Sequence, residues 1–85
     1  MSTESQEAAP QTTYCMTVYY TGDRGVEFER VFSDDAAALV VYKQRREAYV
    51  IHCRAMGYMM IRTELWALRQ QPDDADRLVA YRDGL

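Results

Sequence analysis

The sequence predicts an α+β domain, in which a three-stranded sheet packs on one long helix and a short helix follows at the C-terminus. Residues 33–57 have apolar side chains at the helical period, and residues 14–20, 26–32 and 58–69 are rich in β-forming residues or alternate. The length of 85 residues permits one domain. We therefore expect a ββαβ order with strand order 2-1-3, the third strand lying antiparallel to the first.

The N-terminal residues 1–13 are predicted to be a disordered tail, and residues 14–85 a single domain. The tail consists of Ser, Thr, Gln, Glu and small residues with Pro10, and it has no apolar period. Such a composition buries too little apolar surface to offset the entropy of ordering the chain.

Residues 14–20 and 26–32 are predicted to form a hairpin, with residues 23–25 as its loop. This register places Tyr20 near Phe28 and Met16 near Phe32. The face towards the helix would then hold Met16, Val18, Tyr20, Val26, Phe28 and Phe32. The other face would hold Thr17, Tyr19, Glu27 and Glu29.

The long helix is predicted to begin at the N-cap Ser33 and to end at Gly57. Asp34 and Asp35 place negative charge at the positive end of the helix dipole. The predicted buried stripe consists of Ala38, Val41, Tyr42, Arg45, Ala48, Tyr49, His52, Ala55 and Met56. A helix with such a stripe needs a sheet or another helix to cover it.

Residues 58–69 are predicted to be a third strand, because β-branched and aromatic residues precede Glu64, although residues 62–71 also fit a helix. The predicted core set is Met59, Ile61, Thr63, Leu65 and Ala67. The opposite set is Tyr58, Met60, Arg62, Glu64, Trp66 and Leu68. Asp73 and Asp74 would cap a short helix over residues 75–82, which would dock through Leu78, Val79 and Tyr81.

Charge and composition exclude several classes of protein. The net charge is −3, but without Glu4 and Glu7 the chain has eleven acidic residues against ten basic ones. This balance argues against a strongly basic nucleic-acid binder and against a DNA mimic. There is no apolar run of membrane-spanning length and no signal peptide, so we expect a cytoplasmic protein with Cys15 and Cys53 as reduced thiols.

No group of residues predicts catalysis. His52 and Cys53 are neighbours on a helix and point about 100° apart, so they do not readily share a metal ion. No His or Cys spacing is typical of zinc sites, and no nucleophile turn or phosphate-binding glycine loop is present. The Asp pairs at 34–35 and 73–74 are explained as helix caps. We expect no catalytic residues, no cofactor and no metal site.

The sheet face away from the helix is the most informative feature for function. It is predicted to carry partner-binding residues, namely Tyr19, Tyr58, Arg62, Glu64 and Trp66, and these residue types anchor protein interfaces. Trp66 has a second interpretation, in which the terminal helix covers it. The two interpretations of Trp66 stay open at this point.

We therefore expect a small non-catalytic protein-interaction module. It would bind a protein partner, or itself, through the aromatic sheet face or a strand edge, and a homodimer joined along the third strand is one concrete version. By analogy of size and composition alone, it would be a phage or mobile-element regulator or inhibitor.

Two alternative functions compete with protein binding. In the first, sheet aromatics stack the bases of a single-stranded nucleic acid, and Lys43, Arg45, Arg46 and Arg54 contact its phosphates. Acidic residues on the sheet would oppose that binding. In the second, Met56, Met59 and Met60 line a small-molecule pocket, but filling the core of so small a domain explains them better.

Overall fold

The protein forms a four-stranded antiparallel β-sheet with one helix on one of its faces. The structure is a computed structural model that describes residues 11–21 and 23–84. Its elements are β1 (Thr12–Tyr20), β2 (Asp23–Phe32), α1 (Asp35–Met56), β3 (Met60–Ala67) and β4 (Arg77–Asp83). The α+β class is confirmed, and β1 begins two residues before the predicted strand. The rest of the predicted tail, residues 1–10, lies outside the described residues.

The strand order is β2-β1-β3-β4, so the predicted 2-1-3 order is confirmed and a fourth strand extends it. The predicted C-terminal helix is wrong, because β4 pairs antiparallel with β3. A helix of eight residues has little stability of its own, whereas a strand at this position satisfies the backbone groups along the edge of β3. Residues 70–76 form the turn that joins β3 to β4, and the amide of Asp74 donates to Gln71 O at 3.0 Å.

The register of the first hairpin differs from the predicted one. Tyr20 pairs with Asp23 and Met16 with Phe28, so residues 23–25 belong to β2 rather than to a loop. The partner of Met16 moves by four residues, from Phe32 to Phe28, and this even shift keeps Phe28 on the helix side as predicted. The partner of Tyr20 moves by five residues, from Phe28 to Asp23. A bulge between Met16 and Thr17 reverses the alternation in β2. It leaves Val26 exposed on the face away from α1.

The ends of α1 are fixed by local hydrogen bonds. Asp34, not Ser33, is the N-cap, and its carboxylate accepts from Ala37 N at 2.8 Å. Gly57 ends the helix in the left-handed conformation with φ 76°, as predicted. The amides of Gly57 and Tyr58 donate to the carbonyls of Arg54 and Cys53, which is a Schellman motif.

The buried side of α1 is rotated from the predicted stripe. Its buried residues are Ala38, Tyr42, Val50 and Cys53. By contrast, Arg45, Ala48, His52, Ala55 and Met56 are exposed. The apolar residues of this helix extend around much of its circumference, and the position of the sheet decides which of them are covered.

The core lies between α1 and the two central strands. It consists of Tyr14, Met16, Val18, Ala38, Tyr42, Val50, Cys53, Met60, Leu65 and Ala67. The predicted Thr63, Leu65 and Ala67 are buried, but Met59 and Ile61 are exposed. A register shift opposite Tyr19 and Tyr20 leaves Ile61 unpaired, so that Met60 takes the core position beside Tyr20.

Cys15 and Cys53 are both free thiols. Cys53 is a residue of α1 and is buried between the helix and the sheet, whereas Cys15 is partly exposed beside Trp66 on the other face of the sheet. The sheet therefore separates the two thiols. Over the described ranges 11–21 and 23–84, no helix is long and apolar enough to cross a membrane.

Candidate functional site

The sheet face away from α1 is covered by no helix or strand within the part of the chain that the structure describes, and we call it the open face. Cross-strand pairing places side chains from all four strands on it. These residues are Cys15, Thr17, Tyr19, Arg24, Val26, Glu29, Val31, Arg62, Glu64, Trp66, Leu78, Tyr81 and Asp83. Of the five predicted partner-binding residues, Tyr19, Arg62, Glu64 and Trp66 thus share the open face.

Glu64 lies at the centre of a hydrogen-bonded group on this face. Its Oε1 accepts from the indole Nε1 of Trp66 at 2.9 Å and from Thr17 Oγ1 at 3.4 Å. Its Oε2 accepts from Arg62 Nε at 2.9 Å. The Glu64 side chain is only 12% exposed, so one carboxylate fixes the positions of three neighbours from within the surface.

The environment keeps the Glu64 carboxylate ionised. Burial by itself would raise its pKa, but the hydrogen bonds from Trp66 and Arg62 and the positive charge of Arg62 outweigh burial. Together they hold the pKa of Glu64 below its usual range. The charged form that accepts these hydrogen bonds is therefore present at neutral pH.

Arg62 is held at both sides of its guanidinium. Besides Glu64, it contacts Asp83 Oδ1 at 3.2 Å, and its Cζ lies 4.0 Å from the centre of the Tyr81 ring. Stacking on Tyr81 and hydrogen bonds to two different carboxylates limit the rotamers of Arg62, so a partner has less side-chain motion to order. Arg62 and Tyr81 therefore form a pre-arranged pair at the β3–β4 side of the open face.

Trp66 lies on the open face and is partly exposed. Its cross-strand neighbours are Cys15 on β1 and Leu78 on β4. The interpretation in which a terminal helix covers Trp66 is wrong, because that segment is β4 and lies in the same sheet. A shallow hollow of about 250 Å³ adjoins the indole. It is lined by Cys15, Thr17, Tyr19, Arg24, Glu64, Trp66, Leu68 and Asp76.

Exposed apolar side chains surround this polar group. Val26 is 57% exposed, Val31 53% and Tyr81 56%. Val26 is predicted in the core and Tyr81 on a helix, and both predictions are wrong. The short apolar run of residues 78–81 between charged residues is the signal for a strand that carries Tyr81, whereas the bulge that exposes Val26 has no signature in the sequence.

Tyr58 does not lie on the open face, so its predicted placement on that face is wrong. It precedes β3, and the Schellman motif holds it next to the end of α1. Its ring stacks on Tyr20, with centroids 6.3 Å apart, and meets the His52 ring edge-on at 6.1 Å. Tyr58 therefore packs at the C-terminal end of α1, on the helix side of the sheet.

The four basic residues of the nucleic-acid alternative do not form one patch. Arg45 Nε donates to Glu27 Oε2 at 2.9 Å on the β2 side of α1. Lys43, Arg46 and Arg54 line hollows on the β4 side. All four lie on the helix side of the sheet, so none can contact a strand of nucleic acid stacked on the aromatics of the open face.

Among residues 11–21 and 23–84, no group of three or more His, Cys, Asp or Glu side chains is arranged to hold a metal ion. Comparison of the chain with protein-family models, with curated proteins and with solved structures finds no match.

Proposed function

We propose that this chain is a non-catalytic protein-binding module and that the open face is its contact surface. The observation that supports the proposal is the hydrogen-bonded group around Glu64, which holds Trp66 and Arg62 in place on an uncovered sheet face. Trp, Tyr and Arg in fixed positions are the residues that contribute most to protein interfaces. The exposed Val26, Val31 and Leu78 supply apolar area around them.

Protein is favoured over nucleic acid as the partner by the charges on this face. Glu29, Glu64 and Asp83 lie among the aromatic side chains. Arg62, the best-placed cation, already contacts Glu64 and Asp83. A phosphate backbone needs unpaired cations along its path, and this face would repel it.

Self-association is a specific form of the same proposal. The third strand cannot join two copies through its edge, because β3 pairs with β1 on one side and β4 on the other. A homodimer would use the open face or the outer edge of β2 or β4. Such a module would act by occupying the surface of its partner, as a regulator or an inhibitor.

Site-specific photocrosslinking tests the proposal. The photoreactive residue p-benzoylphenylalanine replaces Tyr81 on the open face or, as the control, Val40 on the outer side of α1. The two positions are matched in exposure, at 56% and 55%. Irradiation is carried out in cells that naturally express the protein and on the purified protein at two concentrations.

The proposal predicts a discrete covalent adduct from position 81 and none from position 40. An adduct with a second copy identifies self-association, and an adduct with another protein identifies the partner. No adduct from position 81, or the same adducts from both positions, would contradict the proposal.

A further inference from the structure

A second surface lies on the helix side of the sheet, where α1 and β4 border a groove. Two hollows of about 580 and 740 Å³ share Arg46, Glu47 and Arg82 in their linings and so form one continuous depression. The lining from α1 is Leu39, Tyr42, Lys43, Arg46, Glu47, Val50, Ile51 and Arg54. The lining from β4 and its end is Ala80, Tyr81, Arg82, Asp83 and Gly84.

The groove exists because one helix is too narrow for a four-stranded sheet. Strands lie about 4.8 Å apart, so the outer strands are separated by about 15 Å, whereas a helix with its side chains is about 10 Å wide. At its N-terminal end α1 reaches β4, where Asp35 binds Arg77 at 3.0 Å. Further along, Arg45 binds Glu27 of β2, so the helix diverges from β4.

The groove is therefore closed at the Asp35–Arg77 ion pair and widens towards Arg54 and Gly84. The volume of the groove is about that of a few turns of a helix. A sheet of this width can accommodate a second helix on the same face.

The chemistry of the groove combines an apolar floor with a basic rim. Leu39, Val50, Ile51 and Ala80 provide the apolar surface. Four cations, Lys43, Arg46, Arg54 and Arg82, line the groove with the anion Glu47, whereas the carboxylate of Asp83 contacts Arg62 on the open face. The excess of positive charge selects an acidic ligand.

Arg46 gives a second indication of an acidic ligand. Its side chain reaches over the groove, and its terminal nitrogen donates to the carbonyl oxygen of Asp83 at 3.4 Å. Its Nε is inaccessible to solvent and has no hydrogen-bond acceptor among the described residues. A buried donor without a partner is costly, so rotation of the Arg46 guanidinium towards a carboxylate in the groove, which would supply the missing acceptor, is favoured.

From these observations we infer that the groove between α1 and β4 binds an acidic amphipathic helix of a partner protein. The apolar side of that helix would lie on Leu39, Val50 and Ala80, and its Glu and Asp side chains would reach Arg46, Arg54 and Arg82. The groove and the open face lie on opposite faces of the sheet and meet along β4, where Tyr81 and Asp83 border both surfaces.

A polypeptide fits the groove better than a nucleic acid. Glu47 interrupts the basic rim, and a phosphate backbone would pass it. The apolar floor has no counterpart in a sugar–phosphate chain, whereas the leucine side of an amphipathic helix covers it.

Titration of the ¹⁵N-labelled full-length protein with two synthetic 18-residue peptides tests the inference. Both peptides carry leucines at helical spacing, one with Glu and the other with Lys at all remaining positions. We expect the Glu peptide to bind saturably and to shift amides of α1 and β4. Its affinity should exceed that of the Lys peptide at least tenfold and should fall as salt rises.

Two charge-reversed variants and a control complete the experiment. Arg46→Glu and Arg54→Glu should each weaken the Glu peptide at least fivefold, and Arg54 is exposed, so its variant should retain the fold. Arg69→Glu, exposed in the β3–β4 turn, should leave binding unchanged. Equal affinity for both peptides would overturn the inference, as would shifts confined to the open face. Tighter binding of a twelve-residue oligothymidylate, with shifts of the same amides, would overturn it too. So would amide shifts of the groove that appear on dilution of the protein alone, because they would show that a second copy of this protein occupies the groove.

Discussion

The indole Nε1 of Trp66 donates to Oε1 of Glu64 across 2.9 Å, and the two residues are neighbours on the same face of β3. Residues two positions apart in a strand point the same way, so this bond fixes the indole along the strand. Because Oε2 of the same carboxylate accepts from Arg62, the positions of Trp66 and Arg62 both depend on one partly buried charge. Several measurable properties of the protein depend on it as well.

Replacement of Glu64 by Gln should destabilise the protein in a pH-dependent manner. Since the folded-state pKa of Glu64 lies below its unfolded value of about 4.3, its contribution is complete above that pH. The contribution is lost as the pH falls through the lower folded value. The variant replaces charge-assisted hydrogen bonds with neutral ones. Its free energy of unfolding at pH 7 should therefore be lower by about 1 kcal/mol. Urea titrations at pH 7 and at pH 2.5 measure it.

The control for this prediction is Glu29→Gln, because Glu29 is exposed on the same face. Its urea midpoint should match that of the wild type at pH 7. A Glu64→Gln variant that loses as much stability at pH 2.5 as at pH 7 would show that the ionised carboxylate has no special role.

The hydrogen bond between Tyr42 Oη and Thr63 Oγ1, 2.8 Å long and buried beneath α1, predicts a coupled pair. Tyr42→Phe and Thr63→Val should each cost about 1–3 kcal/mol, because each leaves a buried hydroxyl without this partner. The double variant should cost less than the sum of the two. A double-mutant cycle from urea unfolding checks this, and strict additivity would mean that the bond does not form in solution.

The phenol of Tyr14 donates to Asp35 Oδ1 at 2.6 Å and should ionise late. Burial, and then the hydrogen bond to Asp35, raise the pKa of Tyr14 to about 12, while burial raises that of Tyr49 to about 12. Asp35→Asn should lower the Tyr14 pKa and leave Tyr49 unchanged. Absorbance titration at 295 nm, with Tyr14→Phe to assign the signal, measures it.

These two tyrosines also make stability depend on alkaline pH. Between pH 10 and about 12 the unfolded chain releases protons that Tyr14 and Tyr49 retain, so the free energy of unfolding should fall across this interval. If Asp35→Asn leaves the late-ionising signal of Tyr14 in place, the hydrogen bond contributes nothing to it.

Gly84 should tolerate no side chain. A Cβ at this position would lie 1.8 Å from the backbone oxygen of Met60, and backbone cannot move aside as a flexible side chain can. Gly84→Ala should therefore lower stability by about 1–3 kcal/mol or detach the end of β4. The control Gly25→Ala meets only Tyr20, with its nearest atom at 3.6 Å, and should leave the packing intact. Thermal unfolding and amide exchange in β4 distinguish the two variants.

Much of the fold follows from local patterns. Apolar period and Gly57 define α1 to within two residues, and alternation identifies β1 and β3 and their antiparallel pairing. The face of Phe28 is as predicted although the hairpin register is not, because the partner of Met16 shifts by four residues and an even shift keeps a side chain on its face. The core position of Leu65 follows from the alternation within β3. These features depend on near neighbours in the chain.

The errors arise where a tertiary partner decides the outcome. Asp73 and Asp74 predict a helix cap before residues 75–82, but residues 77–83 pair with the edge of β3 and join the sheet. Val26 and Ile61 are exposed because of bulges, which depend on pairing with another strand. The bulge at Ile61 also moves Met60 to the core side, so Tyr58, which precedes β3, does not follow Arg62, Glu64 and Trp66 onto the open face.

The central claim is that Trp66 lies in the contact surface, and fluorine NMR tests it most directly. Trp66 is the single tryptophan of the chain, so protein labelled with 5-fluorotryptophan gives one resonance regardless of what its partner contains. The resonance is recorded for the labelled protein by itself over a range of concentrations. It is then recorded after addition of the partner protein identified by crosslinking from position 81. Our account predicts that complex formation shifts this resonance and reduces its solvent isotope effect. A complex that forms while the Trp66 resonance stays unchanged would contradict it.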